Sequence, residues 1–418
     1  MDIWTVRGGR RLSGVCRVQG SKNASLPILA ASVLCPAESE LSNVPQLRDI
    51  DAALRILRHL GCGAEQKGNE LYINARGLVR STVPHELMAQ MRSSVIFMGA
   101  LLARCGEVRL SPPGGCQLGR RPIDLHLAAL RQLGASIEER DGEILCRAEK
   151  LRGTTVRLPF PSVGATENLM LAATAAAGET RIEGAAREPE IEALQDYLRR
   201  MGFQVSGAGT GSIRIGGRRA VGHISCRIQP DRIAAASYAC ACAAAGGDIE
   251  LREVNSAHFL TVLHFLKQAG CDILYNTHCV RIRADGRLRA VGEVTTRPYP
   301  GFPTDAMPLL MAALLRAEGK SVIRETIFEN RFRQVPELRK LGGDIRIDGR
   351  QAEIYGVEAL HGARLTATDL RGGAAMIVAG LAAEGETLIQ DEGHIKRGYE
   401  QLDQRLAQLG ADIRLERA

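Results

Sequence analysis

One pattern of apolar and polar positions keeps returning along the chain: apolar residues at three- and four-residue steps, then Leu-Gly or its equivalent, then strict alternation. It reads LRILRHLGCGAEQ, LAALRQLGASIEE, LQDYLRRMGFQVS, VLHFLKQAGCDIL, VPELRKLGGDIRI and LDQRLAQLGADIR, each an amphipathic helix running into a strand. The glycines of the six phrases, Gly61, Gly134, Gly202, Gly270, Gly342 and Gly410, stand 73, 68, 68, 72 and 68 residues apart. Such regular spacing marks six copies of one structural unit. A glycine at that place predicts a left-handed cap on each helix C-terminus, where any Cβ would be strained.

A second phrase runs between these, an Ala/Leu-rich helix, a small or polar stop and a short strand: GALLARCGEVRL, LAATAAAGETRI, ACAAAGGDIEL, AALLRAEGKSVI, AGLAAEGETLI and the degenerate AASVLCPAESELSNV. Each unit therefore holds two helices and several strands. The pattern ENLMLAATAAA, Glu167 to Ala177, is apolar nearly all round and predicts a buried helix. VRIRAD and SIRIGG alternate apolar with cationic residues and predict strands with one wet face. An α/β fold follows, with helices inside and sheets outside. Six units divide as three plus three, with the break near RIQPDR, Arg227 to Arg232.

Composition adds bounds. At 418 residues, 45% of them hydrophobic, the chain has material for two cores. Its opening, MDIWTVRGGRRL, carries charge throughout and no apolar run approaches membrane-spanning length, so a soluble, cytoplasmic protein with no membrane partner is expected. Eleven cysteines without a CxxC pair, the closest being Cys240 and Cys242, point to reduced thiols and to no metal site. A net charge of +7 and only 4% aromatic residues lack the basic blocks and stacking platforms of nucleic-acid binders. A small anionic substrate fits better, with no nucleic-acid partner.

Candidate chemistry lies at the boundaries of the units. RLSPPGGCQLGRRPIDLH sets Cys116 in a Gly/Pro-rich segment beside Arg120 and Arg121, cations that would favour its thiolate. In VQGSKNASLPIL, Lys22 and Asn23 stand at the start of an apolar helix, a natural anion site. Further along come Asp305 in PYPGFPTDAMP, Arg331 in ETIFENRFRQVPEL, Asp369 and Arg371 in ATDLRGGAA, and Arg397 in DEGHIKRGYEQL. Any one of these arginines reads as a surface charge; as an array at matching boundaries they supply what phosphate and carboxylate recognition requires. Two look-alikes carry nothing. EGKS lacks the upstream glycine of a phosphate-binding loop, because residue 314 is Leu, and GAGTGS lacks its third glycine, because residue 212 is Ser.

With these residues assembled, the sequence resembles the enolpyruvyl transferases of the EPSP synthase family, and among them the branch that acts on UDP-N-acetylglucosamine. The resemblance runs along essentially the whole chain through GSKNASLPIL, MRSSVIFMGALLAR, PPGGCQLGRRPIDLH, PSVGATENLMLAA, AAREPEI, GFPTDAMP, FENRF, ATDLRGGAA and HIKRGYE. It implies two inside-out α/β barrel lobes, each of three βαβαββ-type units, joined by a double crossover. One lobe would take residues 21–229, and the other residues 1–20 with 230–418. It implies transfer of the enolpyruvyl group of phosphoenolpyruvate to the 3'-hydroxyl of the sugar with release of phosphate, the first committed step of peptidoglycan precursor synthesis. No cofactor is implied, and a monomer is expected.

Carried over at matching positions, Lys22, Asn23, Arg92, Arg121, Arg331, Arg371 and Arg397 would grip phosphate and carboxylate groups. Asp305 would take the proton of the attacking hydroxyl, and Asp369 would assist proton movements at the reacting carbon. The uridine nucleotide would lie against Arg121, Pro122, Ile123, Asp124 and Leu125, and against Ser162, Val163 and Gly164, with Ile327 near the sugar. Cys116 would be the general acid toward the methylene carbon and could hold a covalent phosphoenolpyruvate adduct, on a loop that acts as a lid. Against the pattern, Arg120 adds a charge, PFP precedes Ser162, and Gly372 and Gly373 are expected to loosen the turn after Arg371.

Three rivals are set aside on residues. A synthase acting on shikimate 3-phosphate would share the architecture and the cations, but Cys116, RPIDLH and SVGAT argue against it. A binding protein that senses UDP-sugar would have no need of Cys116, Asp305 and Arg397. A thiol hydrolase pairing Cys116 with His126 or His394 lacks an evident group to orient His126.

Overall fold

The computed structural model describes residues 1–111, 123–140, 142–218 and 222–417. The described strands form six four-stranded sheets of one design. In one of them the order is Thr155–Arg157, Thr180–Glu183, Ser212–Arg218, Phe203–Ser206. The first pair is parallel, and the two that follow are antiparallel. A parallel pair needs a helical crossover and an antiparallel pair only a hairpin, so this sheet takes two strands from a βαβ run and two from the hairpin after the next helix. The repeat seen in the sequence is this module.

Two compact units result. One contains Met1–Gln19 and Pro230–Ala418; the other begins at Gly20 and ends at Gln229. The chain passes between them twice, and both passages exchange a strand. Leu12–Arg17 precedes the helix Lys22–Ala31 in sequence but pairs in parallel with Gly247–Arg252. His223–Arg227 precedes the helix Arg232–Ala245 but pairs in parallel with Glu38–Ser42. The strand Asp2–Arg7 lies between Glu386–Asp391 and Asp412–Arg417, antiparallel to both, with Asp2 opposite Arg417.

Each unit has its own apolar core, and the alanine-rich helices are at the centre of it. In the unit that holds the chain's C-terminal half, Arg232–Ala245, Met307–Ala313 and Leu370–Ala382 pack on one another pairwise. In the other, Phe97–Cys105 packs against both Lys22–Ala31 and Val163–Ala173. Small residues allow these close approaches, and the amphipathic helices and sheets cover them. The buried helix read as Glu167 to Ala177 runs from Val163 to Ala173, because Thr174 turns its hydroxyl back to the Leu171 carbonyl at 2.6 Å and the chain tightens there. All six repeat glycines have φ between +91° and +105°, as the cap reading expects.

One expectation is corrected. Gly372 and Gly373 loosen nothing, since both are buried inside the helix Leu370–Ala382. A Cβ on Gly372 would lie 2.8 Å from Asp369 Oδ2, and one on Gly373 would lie 2.7 Å from Ile395 Cγ1. These glycines bring neighbouring segments close to the start of that helix. Among the described residues, no helix is long and apolar enough to cross a membrane.

Candidate active site

In the unit containing Pro230–Ala418, Arg331 and Arg371 converge on Asp305. Its Oδ1 accepts from Arg331 Nη2 at 3.0 Å, and its Oδ2 accepts from Arg371 Nε at 3.3 Å, so cations hold both oxygens. Arg331, with a side chain only 2% exposed, also donates through Nε and Nη2 to the Thr304 carbonyl. Through Nε and Nη2 Arg331 therefore fixes Asp305, beside the substrate-anion role that the resemblance implies for it. Arg371 is different: its Nη1 is buried and has no acceptor among the described residues. An unmet buried donor of this kind costs about 1–3 kcal/mol until an acceptor arrives.

Asp369 is the N-cap of Leu370–Ala382, its Oδ1 accepting from the amides of Arg371 and Gly372 at 3.0 Å each. Its other oxygen takes only a long 3.4 Å contact from Thr368 Oγ1. Ile327 is placed by a residue the sequence reading missed. Glu325, 1% exposed, accepts from the Ile327 amide at 2.7 Å, from the Phe328 amide at 3.0 Å and from Thr304 Oγ1 at 2.9 Å. Arg397 ends the short helix Ile395–Arg397, which Asp391 caps by accepting from the amides of His394 and Ile395. Gln19 donates to the Gly398 carbonyl and accepts from the Glu400 amide, gripping the chain on either side of Tyr399. The ring of Tyr399 lies 5.3 Å from the Arg371 guanidinium carbon.

In the unit spanning Gly20 to Gln229, Lys22 and Asn23 open the helix Lys22–Ala31, capped by Ser21. Pro27 within it has no N–H, so the Asn23 carbonyl is left without its helical donor. Lys22 Nζ is 3.1 Å from Asp49 Oδ2, and both side chains are buried. Asp49 went unremarked in the sequence, although it sits on the buried stripe of Arg48–His59 with Ala52, Ala53 and Ile56, where a carboxylate needs a reason. Arg92 begins the short helix Arg92–Ile96.

Ile123, Asp124 and Leu125 lead into the helix Asp124–Gln132, Asp124 exposed and the other two half-buried. Ser162 caps Val163–Ala173 through a 3.4 Å contact with the Ala165 amide, which leaves the amides of Val163 and Gly164 without helical acceptors. His126, expected to have no orienting group, has one: its Nδ1 lies 2.8 Å from Asn168 Nδ2. The same helix carries Glu167, whose carboxyl is raised well above its ordinary range by burial and then by Glu190 and Glu188.

Cys116, Arg120, Arg121 and Pro122 lie outside the described residues. Burial raises the thiol of Cys62 to about 11 and those of Cys146, Cys242 and Cys271 to about 12, so these four are packing groups without nucleophilic character. A groove of about 770 Å³ lined by Thr174, Arg199, Phe203 and Arg214 contains none of the residues singled out above.

Comparison with known proteins meets this geometry from outside. The sequence profile of the family described as EPSP synthase (3-phosphoshikimate 1-carboxyvinyltransferase) matches residues 6–406. The chain belongs to the EPSP synthase family. Within that family it is 45% identical to UDP-N-acetylglucosamine 1-carboxyvinyltransferase 2 of Caldanaerobacter subterraneus, with 99% of each chain covered. It is 48% identical to UDP-N-acetylglucosamine 1-carboxyvinyltransferase 1 of Symbiobacterium thermophilum, over 99% of this chain and 95% of that one. Among solved structures, the enolpyruvyl transferase NikO from Streptomyces tendae superposes with a TM-score of 0.89 at 26% identity, covering 100% of this chain and 99% of that one. EPSP synthase from Acinetobacter baumannii shares the fold, at a TM-score of 0.76 and 20% identity over the whole of both chains. The two-lobe inside-out α/β architecture of the family is the one described above.

Proposed function

We infer that this chain transfers the enolpyruvyl group of phosphoenolpyruvate to the 3'-hydroxyl of UDP-N-acetylglucosamine and releases inorganic phosphate, a step of peptidoglycan precursor synthesis. The observation that carries the reading is the Asp305 carboxylate, held on both oxygens by Arg331 and Arg371, in a chain that matches named UDP-N-acetylglucosamine transferases along its length. A carboxylate so oriented suits a base that must meet one particular hydroxyl.

In the reaction, the 3'-oxygen bonds to C2 of phosphoenolpyruvate, its proton passes to Asp305, and C3 gains a proton. The C2–O bond to phosphate then breaks, C3 gives up a proton, and the double bond re-forms. Phosphate leaves, and no oxidant or reductant is needed. Cys116 is assigned the proton donated to C3 by resemblance alone. Asp369 has one oxygen held in the helix cap, which leaves the other for proton movement at the same carbon. Lys22, Asn23, Arg121, Arg397 and the open Nη1 of Arg371 take substrate phosphate and carboxylate oxygens. Arg92, the segment Arg121–Leu125 and Ser162–Gly164 take the nucleotide, and Ile327 lies against the sugar.

The test is phosphate release with phosphoenolpyruvate and UDP-N-acetylglucosamine, run beside shikimate 3-phosphate as the rival acceptor. Release with the nucleotide sugar alone is expected. Asp305→Asn should lower kcat by about 10²–10⁴-fold, the range for a lost general base. Turnover of shikimate 3-phosphate, or an Asp305→Asn enzyme within tenfold of wild type, would sink this assignment.

A further inference from the structure

Glu325 is 1% exposed, and among the described residues no cation pairs with it. A carboxyl group so placed is costly unless hydrogen bonds replace water, and here three do. Oε1 accepts from the amides of Ile327 and Phe328 at 2.7 and 3.0 Å, and Oε2 accepts from Thr304 Oγ1 at 2.9 Å. The first two bonds close a turn within the segment that carries Glu325. The third leaves that segment and ends on the residue next to Asp305.

The anchor is a sheet. Glu325 follows the strand Lys320–Arg324, and its amide donates to the Arg350 carbonyl at 2.9 Å. Next to it, Thr326 donates its amide to Thr296 Oγ1 at 2.9 Å and its hydroxyl to the Thr296 carbonyl at 2.6 Å, just past the neighbouring strand Glu293–Thr295. Thr304 lies instead in the turn that leads into the helix Met307–Ala313. That turn is gripped at two atoms of Thr304, the hydroxyl by Glu325 and the carbonyl by Arg331 Nε and Nη2 at 3.3 and 3.2 Å. Arg331 also reaches Asp305 Oδ1, and its guanidinium carbon lies 5.9 Å from the centre of the Phe328 ring. The segment from Glu325 to Arg331 thus closes on Thr304 from both of its ends. Arg331 and Arg371 orient the Asp305 carboxylate, while the Thr304 contacts fix the backbone that bears it.

We propose that Thr304 and Glu325 are positioning residues for Asp305, and that the hydrogen bond between them holds the base where it meets the acceptor hydroxyl. The proposal rests on the reaction read above and adds to it two residues that act through Asp305 and touch no substrate. Preorganised catalytic groups need such support, since a misplacement of about 1 Å can cost roughly 10²-fold in rate. The same carboxyl group also holds the Ile327 amide, so the base and the residue assigned to the sugar share one anchor. The two functions are separable, because Thr304 uses Oε2 and the amides use Oε1.

Three variants test it. Thr304→Val keeps the shape of the side chain without its hydroxyl, and Thr304→Ser keeps the hydroxyl without the methyl. Thr304→Val should lower kcat by about tenfold and move KM for either substrate by less than about threefold, because Oε1 keeps its two amides. Thr304→Ser should bring kcat back to within about threefold of wild type. In a Glu325→Ala background, Thr304→Val should cost less than about a further twofold, since its partner is already gone. A merely structural bond would lower Tm in Thr304→Val and leave kcat of the folded enzyme unchanged, and that result overturns the proposal. So does a serine variant as slow as the valine one, or a full tenfold loss from Thr304→Val in the absence of Glu325. Should Glu325→Ala not fold, the valine and serine pair decides alone. If the wild type releases no phosphate from the two substrates, the reading of the reaction fails, and a crystal structure of Thr304→Val decides the contact. Asp305 Oδ1 drawn out of hydrogen-bond range of Arg331 Nη2 supports it, and an unmoved Asp305 overturns it.

Discussion

Ser237 has one hydroxyl hydrogen and gives it to the Ile233 carbonyl at 2.7 Å. Its 2.7 Å contact with Tyr399 therefore has the phenol as donor. That single bond, with the grip of Gln19 on the flanking backbone, holds the Tyr399 ring over Arg371, and Arg371 holds Asp305. Tyr399→Phe should cost about 1 kcal/mol of stability, the ordinary value of one buried bond, visible as a Tm lower by a few degrees. A several-fold drop in kcat with little change in either KM should accompany it, because the lost bond touches no substrate. A KM effect of equal size would place Tyr399 in contact with substrate instead. At this scale the sequence singled out residues that carry charge at a boundary, such as Asp305, Arg371 and Lys22. Their partners were not legible: Glu325, Asp49 and Ser237 are ordinary residues until folding sets them beside a residue far along the chain. Gly372 and Gly373 were misread for the same reason, because a glycine pair reads locally as a turn, and only the approach of Ile395 and Gln334 shows what the missing side chains allow.

The helix Val163–Ala173 shows how an element can be easy to find and hard to interpret. Its nearly continuous apolar character predicts burial, and nine of its residues are buried, among them Glu167 and Asn168. Those two polar residues within an apolar run were the available signal that the helix does more than fill space. Asn168 earns its place by joining Val95, Gly99 and His126. The pKa of Glu167 is raised, by burial first and then by Glu190 and Glu188. The sign of its effect on stability follows. The folded chain holds the Glu167 proton to higher pH than the unfolded chain, which loses it above the ordinary carboxylate pKa, so native stability falls as pH rises from there toward the raised value. Glu167→Gln removes that loss. Thermal unfolding from pH 5 to pH 8 should find the variant more stable than wild type, by a margin that widens with pH. A constant margin would mean that the carboxyl is ionised in the native protein.

Over the whole molecule, six repeats with regular glycine spacing make the architecture readable, because each copy repeats the same helix end and the same wet-faced strand. Which strand joins which sheet is less readable, since Leu12–Arg17 and His223–Arg227 are exchanged between otherwise equivalent positions and local pattern does not encode partner choice. The exchange has a consequence for folding. Residues 230–418 lack the strand Asp2–Arg7, which is central in its sheet and carries Trp4 and Val6, both fully buried. They also lack Leu12–Arg17, the parallel partner of Gly247–Arg252. Losing both strands removes an interior ladder and opens the core on two sides, where a single large apolar side chain is worth about 1.5–3 kcal/mol. Because Asp2 lies opposite Arg417, a short linker can join the end of the chain to its beginning. A polypeptide of residues 230–418 followed by such a linker and residues 1–19 should therefore unfold in one cooperative thermal transition with dispersed amide resonances. Residues 230–418 alone should show neither. A cooperative transition from the shorter polypeptide would mean that the two N-terminal strands decorate this unit without completing it.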